Sequence, residues 1–144
     1  MWTAKKFNDL TPTELFEIYQ TRAEVFNMEQ NIHYVDPDVN DTISTHLFEK
    51  VDGKIAAYAR IFQKDNHVTF GRVLTTQALR GTGKGRELLA KILEQIAIDY
   101  PGLPVEIDAQ SYAIGYYAKN GFTCVGDEFL EEGIKHTKMI HVAL

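Results

Sequence analysis

Hydrophobic positions in the first part of the chain fall at helical spacing, with Leu15, Ile18, Tyr19, Val25 and Phe26 on one face. Thr11-Pro12-Thr13-Glu14 marks the start of this helix. Thr11 can cap, Pro12 suits the first helical position, and Glu14 completes a capping box. Arg22 shares the apolar face, so it either meets an acceptor inside or snorkels at the rim. Residues 27–45 lose the period and read as a long ordered loop with at most short helical turns. From His46 the pattern becomes strand-like. Leu47–Val51 and Lys54–Phe62 flank the hairpin dipeptide Asp52-Gly53, and a polar turn at 64–66 leads into His67–Leu74. The helical period returns with Leu88, Leu89, Ile92, Leu93, Ile96 and Tyr100, and Pro101-Gly102 ends that helix. A short buried strand at Val105–Ala109, a helix over Ser111–Asn120 and two strands, Phe122–Leu130 and Ile134–Val142, follow. Hairpins first, then strand-helix-strand-helix, then a closing hairpin predict a mixed α/β sheet with helices on both faces.

Composition narrows the picture. A chain of 144 residues with 44% hydrophobic and 24% charged positions predicts one folded domain over residues 1–144. The net charge of −5 disfavours nucleic acid and anionic membranes as partners and weakly suits a cationic one. Cys124 is the single cysteine, so no internal disulfide forms. It sits in Phe122-Thr123-Cys124-Val125, which reads as a buried strand. No apolar run reaches the length of a membrane span, and the N-terminus lacks the apolar core of a signal peptide. The expected location is cytoplasmic. A homodimer is compatible with the sequence, which leaves the oligomeric state open.

The richest candidate chemistry lies at Arg80-Gly81-Thr82-Gly83-Lys84-Gly85-Arg86, between a strand and a long helix. Glycines at alternate positions let backbone approach a ligand. The first helical turn offers N–H groups without intrahelical partners, the helix dipole favours an anion there, and Arg80, Lys84 and Arg86 add positive charge. The segment suits phosphate. A P-loop is excluded by the single residue between Gly81 and Gly83, and by Gly85 at the position of the metal-binding hydroxyl. A dinucleotide fingerprint is excluded because Arg86 stands where the third glycine belongs, which also removes a nucleotide-binding oxidoreductase. A flexible loop that only caps the helix remains the plain alternative. Asp36-x-Asp38-x-Asn40 has calcium-loop spacing but lacks the glycine and the terminal glutamate, so no metal site is expected.

Arg80-x-x-Gly83-x-Gly85 resembles the signature loop of the GNAT superfamily of N-acyltransferases, whose amides wrap the pyrophosphate of acetyl-coenzyme A. Gln110-x-x-Ala113-x-x-Tyr116-Tyr117-x-x-x-Gly121-Phe122 resembles that family's second motif, with glutamine where many members have asparagine. Arg22, Val25-Phe26, Glu29-Gln30, Tyr34-x-Asp36, His46, Ala57-Tyr58-Ala59-Arg60, Gly71-Arg72-Val73, Ala109-Gln110 and Glu131-Glu132-Gly133-Ile134-x-His136 spread the likeness over almost the whole chain and make it similar to the ElaA-like branch. The resemblance implies a mixed, mostly antiparallel sheet of about six to seven strands with helices on both faces. It implies acetyl transfer from acetyl-coenzyme A, as co-substrate and without a metal, to a small-molecule amine or a peptide amino terminus.

Site roles follow from the same resemblance. Residues 80–86 and Gln110 contact the cofactor, and the backbone of Val73, Leu74 and Thr75 meets the pantetheine arm. Tyr117 protonates the departing thiolate while Tyr116 packs. The attacking amine must be neutral, so a base or a water path has to take its proton. Glu29, on the acceptor side, is the first candidate, against the alternative of an ion pair with Arg22. His46 and His136 follow, each more easily read as structural. Asp36, Asp38 and Asp41 either steer a cationic acceptor or serve as turn formers facing water. The rival reading from another class is a non-catalytic coenzyme A sensor, which has no need of an acid at Tyr117.

Overall fold

The computed structural model describes residues 1–144. Seven strands form one sheet: β1 Trp2–Lys6, β2 Thr45–Val51, β3 Lys54–Lys64, β4 His67–Thr75, β5 Val105–Gln110, β6 Thr123–Glu131 and β7 Ile134–His141. Their order is β1-β2-β3-β4-β5-β7-β6, and only β4 and β5 run parallel. The sheet is the mixed, mostly antiparallel one expected. β1 was not legible in the sequence. Trp2 is its one large apolar residue, so no alternation signals a strand, and pairing with β2 supplies the reason for it.

Helix α1 (Pro12–Arg22) starts as predicted: Glu14 N–H donates to Thr11 Oγ1 at 3.0 Å and Thr11 N–H to Glu14 Oε1 at 2.8 Å. It continues as a π-helical stretch, Ala23–Glu29, three residues beyond Phe26, where loop was expected. Helix α2 (Lys84–Asp99) and the short α3 (Ile114–Ala118) lie on the opposite face. The alternation on β3 separates the two cores. Ala57, Ala59 and Ile61 pack with Leu88, Leu89, Ile92 and Ile96 of α2. Tyr58 packs with Ile18, Val25 and Phe26 under α1 and its extension. Fully burying such Leu, Ile or Phe side chains stabilises by roughly 1.5–3 kcal/mol each.

The pairing of β4 with β5 matters for function. β4 and β5 share a single partnered position, Val68 with Val105, and then separate. The unpaired stretch of β4 borders a groove of about 1010 Å³. At the far edge, every residue of β6 is exposed. Cys124 is therefore exposed, which corrects the buried reading. The apolar run around it pairs with β7 but has no helix over it, and sequence period cannot tell an edge strand from a central one.

Candidate active site

The loop before α2 is shaped by left-handed backbone. Gly81 and Gly83 have φ of +82° and +85°, and a Cβ at either would meet nothing within 4 Å, so conformation and not crowding demands glycine. The N–H groups of Gly81, Gly83, Lys84, Gly85 and Arg86 find no acceptor in the protein. A run of unpartnered donors at a helix start suits phosphate, so the donor set fits the pyrophosphate of coenzyme A. The three cations of the loop are not equivalent. Arg86 has no ion-pair partner, whereas Arg80 donates to Glu29 Oε2 at 2.6 Å and to the Thr75 carbonyl at 3.0 Å. Lys84 departs from expectation: its ammonium is held by Glu49 and by Glu87, over the Trp2 ring. It ties α2 to β2 and adds no free charge to the loop.

The groove collects Val73, Leu74, Thr75, Arg80, Gly85, Gln110 and Tyr117 from separate elements. The two tyrosines at its end do different things. Tyr116 donates its hydroxyl hydrogen to the Gly85 carbonyl and so fastens α3 to the glycine loop. Tyr117 is 8% exposed, and its hydroxyl, which has no hydrogen-bond partner in the protein, is not among the fully buried atoms. Phe70, Tyr116 and Phe122 surround its ring at centroid distances of 6.1, 4.9 and 5.6 Å. Burial, reinforced by Tyr116 and Tyr112, pushes its hydroxyl well above the usual tyrosine value of 10.0, so the proton stays on through neutral pH.

Across the groove Asp36 and Asp41 are buried, whereas Asp38 is exposed and caps the turn Val39–Thr42, its Oδ1 accepting from the Asn40 N–H at 3.0 Å. Arg22 is fully buried, which removes the rim reading, and donates through Nε to Asp36 at 2.8 Å and through Nη1 to Asp41 at 2.6 Å. Arg60 bonds Asp38 at 2.6 Å and lies 3.1 Å from Asp41. Arg72, at φ +50° where β4 bulges, bonds Asp36 at 2.9 Å with its guanidinium 4.6 Å over the Tyr34 ring. Each carboxylate thus meets a guanidinium, and the cluster carries no net charge. Asp41 is pushed up by burial, but Arg22 and a backbone N–H outweigh that and hold it below the usual carboxylate range. Sequence reasoning assigned no role to Arg60 and Arg72. The signal was there: both are arginines inside strand runs that otherwise read as core.

Glu29 does not pair with Arg22. It closes the π-helical stretch, lines the groove and holds Arg80. His46 is structural. Its Nε2 lies 2.8 Å from the Asp41 carbonyl and its Nδ1 2.7 Å from the Tyr58 hydroxyl, so Nε2–H donates and Nδ1 accepts in a neutral ring. Burial lowers its proton affinity, in keeping with a neutral ring. His136 lines the groove, bonds the Ile134 carbonyl through Nδ1 at 2.8 Å and stacks on Phe129.

Residues 9–142 match the acetyltransferase (GNAT) domain family. A UPF0039 protein from Synechocystis is 40% identical, over 96% of this chain and 93% of its own. ElaA from Escherichia coli is 34% identical over 96% of this chain and 94% of its own. The crystal structure of an acyl-CoA N-acyltransferase from Pseudomonas aeruginosa superposes with a TM-score of 0.95 at 34% identity, covering 99% of each chain. The diverging β4 and β5, the free amides beyond them and these full-length likenesses lead to one conclusion: this chain belongs to the GNAT acetyltransferase family, among its ElaA-like members.

Proposed function

We propose that the protein, acting as one domain over residues 1–144, moves an acetyl group from acetyl-coenzyme A to an amine by direct attack, without a covalent enzyme intermediate. Family membership makes it an acyltransferase that draws on acyl-coenzyme A. The observation that supports the finer reading is Tyr117, a protonated and unpartnered hydroxyl in the groove between the parted strands. Acetyl-coenzyme A supplies the activated acyl group and a sulfur that leaves as thiolate. In this reading Tyr117 O–H donates its proton to that sulfur. The free edge of β4 at Val73–Thr75 orients the arm by backbone contact, Gln110 closes the opposite wall, and the amides of residues 81–86 hold the phosphates. Arg80 and Arg86 add charge to the phosphate site, which Lys84 does not. Glu29 takes the proton that the attacking ammonium must lose. The acceptor is a small amine or a peptide amino terminus.

Thiol release from acetyl-coenzyme A against amines, polyamines, amino acids and peptides tests the activity. With an accepted amine, Tyr117→Phe keeps the ring and its packing but should lower turnover about 100- to 10,000-fold. Coenzyme A affinity, read by calorimetry, should barely move. Undiminished turnover rejects the role of Tyr117. Coenzyme A binding without thiol release for any acceptor favours the sensor reading instead.

A further inference from the structure

An ion pair over the groove joins the phosphate loop to the acceptor side. Arg80 Nη2 lies 2.6 Å from Glu29 Oε2, across 51 residues of sequence. Glu29 is held in position by its own segment. Asn27, two residues before it, bonds the carbonyls of Ile32 and Tyr34, and the Gln30 N–H donates to the Val25 carbonyl. Arg80 is held at its other end by the Thr75 carbonyl. The side chains are 42% and 35% exposed, so the pair is weak and exchangeable. The buried Arg22 pairs, at 0% exposure, are not.

Both partners have a second use. Arg80 starts the loop whose free amides suit a pyrophosphate, and Lys84 cannot substitute for it because Glu49 and Glu87 hold its ammonium. A pyrophosphate offers a guanidinium more charge and more acceptor oxygens than one carboxylate does. Glu29 faces the groove, but while Oε2 accepts from Arg80 only Oε1 is left fully open to an ammonium.

We propose that Arg80 changes partner when coenzyme A binds, leaving Glu29 for the cofactor phosphates, and that the freed Glu29 carboxylate then receives the acceptor amine. This rests on the acyltransfer reading above. It adds a coupling that reading does not contain: the cofactor assembles the acceptor site, and Glu29 competes with the cofactor for one guanidinium. No bond is made or broken in the exchange. Only hydrogen-bond partners change.

The competition is measurable without an acceptor. Calorimetry with coenzyme A on the wild type, Glu29→Gln, Arg80→Gln and the double variant, at one fixed salt concentration, gives a double-mutant cycle. Glu29→Gln should tighten coenzyme A about two- to fivefold, the range set by a released exposed ion pair. Arg80→Gln should weaken it, and in that background Glu29→Gln should bring no further gain. Unchanged or weaker binding by Glu29→Gln overturns the exchange. So does equal tightening in both backgrounds, which would mean plain charge repulsion from Glu29. Coenzyme A binding absent from the wild type overturns the acyltransfer reading and the exchange with it. Both side chains are exposed, so the variants are expected to fold, and urea midpoints matching the wild type check this.

Discussion

The two charged segments that flank the groove use the same residue types to opposite ends. In the 36–41 segment every carboxylate is matched: Asp36 by Arg22 and Arg72, Asp38 by Arg60, Asp41 by Arg22 and Arg60. No carboxylate is left over and only the buried Arg60 Nε lacks a partner, so the segment is a scaffold. In the 80–86 loop five backbone N–H groups have no acceptor, Arg86 has no ion-pair partner and Arg80 is weakly engaged. Charge density alone therefore does not mark a binding site. Unmet hydrogen-bonding capacity does, because a ligand gains only from groups the protein has not already satisfied.

The strongest way to break this comparison is to unbalance the scaffold. Asp41→Ala strips a partner from both Arg22 and Arg60 and should cost about 3–5 kcal/mol of stability, as when one member of a buried pair is removed. Urea denaturation reads it, and a loss below about 1 kcal/mol would mean the cluster is solvated after all. A subtler probe acts on the loop. Gly83→Val forces a branched side chain into left-handed backbone, which costs roughly 1–2 kcal/mol or displaces the amides. Coenzyme A affinity should fall about 5- to 30-fold, with a smaller stability loss than Asp41→Ala. Full affinity in a folded Gly83→Val would show that the loop amides do not hold the ligand.

The smallest effect is a pH dependence. Burial lowers the proton affinity of His46, so its neutral form contributes stability that is intact above the ordinary value near 6.5 and is lost as pH falls below it. Asp38 and Asp41, held below their ordinary value of 3.8, act in the same direction at lower pH. Their contribution is present above that value and lost as pH falls through the lowered ones. The urea midpoint should be flat from about pH 7 to 9 and decline below about 6.5, by at most about 1.4 kcal/mol per pH unit for one proton. His46→Gln should remove the first part of the decline. A decline that survives in His46→Gln would assign it to another group.

Much of the fold was legible because period and punctuation are local. The capping box at Thr11, the stripe from Leu88 to Ile96 and the hairpin at Asp52-Gly53 lie where the sequence predicts them. So does the glycine loop between strand and helix. What failed were statements about partners. Arg22 finds Asp36 and Asp41, 14 and 19 residues away, instead of Glu29. Lys84 finds Glu49, 35 residues away, and Cys124 finds no cover. The sequence by itself determined the elements, the faces they turn inward and the motif that names the family, since these depend on residues within a few turns of one another. Tertiary structure alone decided which charges neutralise each other, which tyrosine is bonded and which is free, and where the sheet parts. Those outcomes depend on which distant segments meet, and a charge carries no mark of the partner that will reach it.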